Sequence, residues 1–172
     1  MSAEIWAGHG PVLVDTSAWI AARRIPPARE LLLAAIERGE AAWCWPVRYE
    51  LMVDARDANT IAVLDRTLEP LREIPVDRSV QRSVLSTMRE LARDGSHGAH
   101  RLPLADLTVA VAAQCSAVDV LHFDRHLQHL GELLGVQTWW LAQPSPGGTS
   151  LATAALDRTP YPCQQGQQGL QR

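Results

Sequence analysis

Pro11-Val12-Leu13-Val14-Asp15-Thr16-Ser17-Ala18-Trp19-Ile20 decides how the rest of the chain is read. A short apolar run stops on a carboxylate and two hydroxyls, and a helical pattern follows. That pattern predicts a buried parallel strand whose carboxyl end delivers Asp15 into a crevice. Ligands of open α/β sheets bind in such crevices.

Downstream, the same alternation recurs. Ala28 to Arg38 reads as a helix with Leu31, Leu32, Ala35 and Ile36 on one face, stopped by Gly39. Ala41 to Trp45 reads as a buried strand, which places Trp43 and Trp45 on one face. Pro46 opens a helix carrying Val47, Glu50 and Leu51. Asn59 reads as the N-cap of a helix to Leu68. A short strand follows around Arg72, Glu73 and Ile74, and Asp77 caps a helix to about Arg93. Residues 94–100 read as a flexible polar loop with His97 and His100. Pro103 to Cys115 is a helix of small apolar residues, Asp119 to His122 a strand, Arg125 to Leu134 a helix stopped by Gly135, and Val136 to Leu141 a last strand. Strands alternating with helices predict an α/β protein with a central parallel sheet flanked by helices.

The 172 residues suit one domain: a lead-in over 1–10, the folded domain over 11–142, and a tail over 143–172. The tail is rich in Pro, Gly and Gln and is expected to stay disordered. Met1-Ser2-Ala3-Glu4-Ile5 has no basic region followed by an apolar one, so no signal peptide is expected. No apolar run approaches the length of a membrane span. Cys44, Cys115 and Cys163 are odd in number and scattered, which suits reduced thiols in a cytoplasm. A net charge of −3 argues against holding nucleic acid by charge alone. All 16 basic residues are arginine, whose planar fork suits phosphate contacts.

Four acids occupy corresponding places in successive units. Asp15 ends the first strand, Glu50 lies in the helix after the second, Asp106 begins the helix after the polar loop, and Asp124 follows the strand to His122. Each has an ordinary explanation alone: Asp15 and Asp124 as helix caps, Asp106 as an acid near a helix N-terminus, Glu50 as a surface residue. Together at one sheet edge they repel unless a cation sits among them. Hard oxygen ligands select Mg²⁺ or Mn²⁺ over Zn²⁺. His122, His126 and His129 suggest zinc by spacing, but His122 is expected at a strand end, off that helix face.

Val14-Asp15-Thr16-Ser17-Ala18, Glu50 after Pro46, Leu104-Ala105-Asp106-Leu107-Thr108-Val109-Ala110 and Leu121-His122-Phe123-Asp124-Arg125 resemble the four motifs of PIN-domain nucleases, and more narrowly the VapC toxins of toxin–antitoxin pairs. The resemblance covers about Pro11 to Leu141. It implies a PIN-like three-layer fold and an endoribonuclease that cleaves RNA phosphodiesters with metal-activated water. It also implies Mg²⁺, with Mn²⁺ as a substitute, a cognate antitoxin and a homodimer. Asp15, Glu50 and Asp106 would form the metal triad, with Asp124 as the fourth acid. Thr16 and Ser17 would hydrogen-bond within the site, and Arg101 and Arg125 would meet substrate phosphates. Where relatives often carry a second acid two places after the fourth, this chain has His126. That departure favours an alternative: a PIN-like module that binds RNA or protein without cutting. A phosphatase or receiver-like domain fits less well. The receiver's lysine is absent, and Ser17 stands where a phosphatase carries its second Asp.

Overall fold

The computed structural model describes residues 10–93 and 102–141. Five strands form one parallel sheet: β1 (Val12–Val14), β2 (Ala41–Cys44), β3 (Arg72–Ile74), β4 (Asp119–His122) and β5 (Thr138–Trp140), ordered β3-β2-β1-β4-β5. Seven helices connect them: α1 (Thr16–Arg24), α2 (Pro26–Glu37), α3 (Trp45–Val53), α4 (Ala58–Leu68), α5 (Arg78–Arg93), α6 (Leu104–Ser116) and α7 (Arg125–Leu134).

The chain moves one way from β1 through β2 to β3, then returns to β4 on the other side of β1 and continues to β5. Right-handed crossovers therefore place α1 to α4 on one face and α5 to α7 on the other. On each side the helices pack together, α1 on α2, α5 on α6 and α6 on α7, and α3 also reaches α6. The reversal lies between β1 and β4, where the connections leave on opposite faces and a crevice is expected outside the carboxyl ends. Register puts Val14 opposite Leu121, and the Asp15 amide continues the ladder to the Leu121 carbonyl at 2.9 Å. Asp15 and the segment after β4 thus share one rim.

The inner strands β1, β2 and β4 are short and buried on both faces, as a covered parallel sheet requires; Val12, Leu13 and Val14 expose no more than 2%. Leu107 to Ala113 of α6 are all buried, which explains the small residues in that helix. Gly131 has a comparable role in α7. A Cβ there would lie 2.3 Å from Thr138 Cγ2 and 2.8 Å from the Val136 carbonyl oxygen, so only glycine lets α7 approach β5.

Two local expectations are corrected. Trp45 does not extend β2 beside Trp43. Pro46 at the start of α3 turns the chain at Cys44, so Trp43 is buried and Trp45 is 60% exposed. The cap of α4 is Asp57, which accepts the Thr60 amide at 2.7 Å, and Asn59 lies inside the helix. Cys44 is free and buried. The polar loop with His97 and His100, Arg101, the lead-in over 1–9 and the tail lie outside the described residues. No described helix is long and apolar enough to cross a membrane.

Candidate metal centre

Asp15 is delivered by β1 and is 5% exposed. It is also the N-cap of α1: Oδ2 accepts the Ser17 amide at 2.8 Å and the Ser17 hydroxyl at 2.5 Å. Capping and membership of the site are therefore not alternatives here. The Ser17 hydroxyl in turn accepts the Phe123 amide at 2.9 Å. One serine thus ties the end of β1 to the turn after β4. Burial pushes the Asp15 carboxyl above its ordinary range, the Ser17 bonds oppose this, and the Glu50 charge adds to the rise.

Glu50 comes from α3. Its Oε2 accepts the Thr16 hydroxyl at 2.6 Å, a bond that fixes the carboxylate against the buried start of α1. Thr16 and Ser17, expected to hydrogen-bond within the site, do so on its acids. Their hydroxyls hold carboxylates in place instead of presenting donors to a substrate.

Asp106 lies in the first turn of α6 and is half-buried. Its carboxyl is pushed up to about 6, first by burial and then by the charges of Asp15, Asp124 and Glu50, while His126 pulls the other way. Asp106 therefore feels the other three predicted acids. They are not equally close. Among the described residues, the one group whose ligand atoms all lie within 4.8 Å of one another is Asp106, Asp124 and His126. Asp15, at the end of β1, and Glu50, in α3, are not part of that group. The expected triad of Asp15, Glu50 and Asp106 is not gathered as tightly as the pair Asp106 and Asp124.

Asp124 caps α7, with Oδ1 accepting the His126 amide at 2.8 Å. Among the described residues no arginine forms an ion pair with any of the four acids. Arg125 is exposed at the start of α7 and lines an open groove with Phe123, Asp124, His126 and Trp140.

His122 is fully buried, and its Nδ1 accepts the Asp124 amide at 3.2 Å. That bond places the ring proton on Nε2, which has no partner among the described residues. Burial lowers its pKa to about 4, so the ring is neutral near pH 7. It cannot join His126 and His129 around zinc. His122 packs against Trp140 at 4.8 Å between centroids and shapes the turn that carries Asp124.

A divalent oxygen-preferring ion fits this donor set. Carboxylates are crowded at a half-buried rim with no described counter-arginine, and the strain shows in the elevated Asp106 carboxyl.

Comparison with known proteins bears on the whole described region. Residues 12–133 match the PIN domain family. The chain is 33% identical to Ribonuclease VapC18 of Mycobacterium tuberculosis over 136 residues, 79% of this chain and 96% of that protein. Among solved structures it resembles DNA-bound VapBC from Salmonella typhimurium, with a TM-score of 0.62 at 16% identity over 77% of this chain and 99% of the other. VapBC2 of Rickettsia felis bound to a promoter DNA fragment gives 0.57 at 13% identity, over 75% and 97%. At such identities these two likenesses speak for the fold.

Proposed function

The chain belongs to the PIN-domain family, and from that premise we propose that it is a metal-dependent endoribonuclease, the toxin of a toxin–antitoxin pair. The observation that carries the reading is the grouping of Asp15, Glu50 and Asp124 around Asp106 at the β1/β4 switch point, where burial and then the charges of those three acids push the Asp106 carboxyl up to about 6. The likeness to Ribonuclease VapC18 supplies the substrate class.

Asp106 and Asp124 would hold the ion directly, Asp15 from the buried side, and Glu50 through a carboxylate anchored by Thr16. A Mg²⁺ or Mn²⁺ ion bound there supplies charge to the attacked phosphate and lowers the pKa of a water beside it. The chain's own residues do the positioning. Ser17 holds Asp15 and the Phe123 amide together, so the two halves of the rim keep a fixed spacing. Arg125 presents a guanidinium at the N-terminus of α7, where a phosphate oxygen meets both the fork and the helix dipole. Phe123 and Trp140, 5.7 Å apart at 82°, line the same groove and offer ring faces to an unpaired base. Nothing in this set calls on a 2′-hydroxyl, so the expected products carry a 5′-phosphate and a 3′-hydroxyl.

An antitoxin is the proposed partner, by likeness to proteins described as VapBC. Trp45, Tyr49 and Val53 recur every four residues on α3 and are each at least 56% exposed. Trp45 and Tyr49 stack at 5.4 Å, and Tyr49 and Val53 border Glu50. A partner seated on that stripe would cover the acidic rim. A homodimer, a cytoplasmic location, and domain limits at 11 and 142 belong to the same reading.

The test is cleavage of RNA, and growth arrest on expression, by the parent and by Asp15→Asn. Loss of both in the variant, with its thermal unfolding intact, supports the proposal. Undiminished cleavage would end it.

A further inference from the structure

We propose that His126 is a metal ligand, and that its imidazole completes with Asp106 and Asp124 a mixed nitrogen–oxygen site preferring Mn²⁺ to Mg²⁺. The inference rests on the metal-dependent reading above and concerns the one motif position where this chain departs from an all-acid set.

Asp106, Asp124 and His126 each offer an atom within 4.8 Å of the other two. Ligands on opposite sides of an octahedral ion at about 2.1 Å stand about 4.2 Å apart. The group is thus already near the size of a coordination sphere. His126 Nδ1 lies 3.5 Å from Asp124 Oδ1, too far for a hydrogen bond, so the ring is not committed to that carboxylate. The backbone is committed: the His126 amide donates to Asp124 Oδ1 at 2.8 Å. The cap therefore fixes the two residues' spacing, and the ring turns about its own side-chain bonds. The His126 side chain is 67% exposed, so that rotation meets no packed core.

The other described histidines do not compete. His122 is buried with Nδ1 engaged, and His129 stands a turn further along α7 beside Glu132. Carboxylates and water suit Mg²⁺ and Mn²⁺ alike, whereas an imidazole nitrogen suits transition ions and not Mg²⁺, so of these two only Mn²⁺ tolerates it readily. Replacing an acid by His126 keeps a donor in place, removes one negative charge and moves the preference toward Mn²⁺.

The full-length protein loaded with Mn²⁺ tests this by pulsed electron paramagnetic resonance, which reads ¹⁴N nuclei bonded to the ion. The parent is expected to show ¹⁴N modulation. His126→Ala is expected to lose it while Mn²⁺ still binds. In His126→Asp, Mg²⁺ is expected to displace Mn²⁺ about tenfold more readily than in the parent, the low end of what altering a metal's supporting groups costs. Modulation that persists in His126→Ala overturns the proposal. So does bound Mn²⁺ in the parent without modulation, and that outcome leaves the nuclease reading standing. A parent that binds no Mn²⁺ removes both.

Discussion

Asp106→Asn tests the burial and crowding of this carboxylate together, because it removes charge and keeps shape. In the folded protein the carboxyl is pushed up to about 6 from an ordinary 3.8. At about 1.36 kcal/mol per pH unit, the ionised form is disfavoured by about 3 kcal/mol. Asp106 is only half-buried, and solvent screening reduces this to about 1–2 kcal/mol. The sign follows from linkage. Folded Asp106 binds its proton more tightly than unfolded, so the penalty is absent below about 3.8, grows as pH rises, and is complete above about 6. Asp106→Asn is therefore expected to be more stable than the parent in EDTA at pH 8. With about 2–4 °C per kcal/mol for a chain of this length, the melting temperature rises by about 2–8 °C. The gain is expected to shrink to about half by pH 5 and to vanish near pH 4. Adding Mn²⁺ is expected to stabilise the parent and not the variant. Circular dichroism melts at the three pH values check all of this. A variant less stable than the parent at pH 8, or a difference independent of pH, would refute the argument that burial and neighbouring acids disfavour the ionised Asp106 at this rim.

Other perturbations follow from single contacts. Thr16→Val removes the donor to Glu50 and is expected to leave the fold intact while weakening Mn²⁺ binding about tenfold, read by calorimetry. Gly131→Ala forces a Cβ against Thr138 and the Val136 carbonyl and should cost about 1–3 kcal/mol in urea unfolding. Ala117 ends α6 in a left-handed conformation, φ 52°, and Ala117→Gly should stabilise by about 0.5–1 kcal/mol, seen as a higher urea midpoint with an unchanged slope.

Much of the site was legible because its acids stand where strands end. An apolar run that stops on Asp15-Thr16-Ser17 announces both a strand terminus and a helix cap, and the structure uses Asp15 as a cap within the acidic rim. Asp124 repeats that economy. Sequence reasoning could not say which acids lie closest, since that depends on how α6 and α7 approach each other. Asp106 and Asp124 fall within one 4.8 Å group with His126, which Asp15 and Glu50 do not join. His126 read as the loss of a ligand because its distance from Asp106 is a tertiary fact. Trp45 was misread because two alternating tryptophans imitate a strand face, whereas Pro46 had already fixed a helix start. His122 carried no sequence signal for its role. Its tautomer is set by the Asp124 amide, a bond visible only once the turn is built.

The claim on which the rest depends is that these acids share one ion. Anomalous diffraction at the manganese edge from crystals grown with Mn²⁺ measures that directly. A peak within about 2.3 Å of Asp106 and Asp124 oxygens, beside Asp15, is the predicted result. A fully ordered rim with no peak, or a peak elsewhere on the molecule, would contradict it.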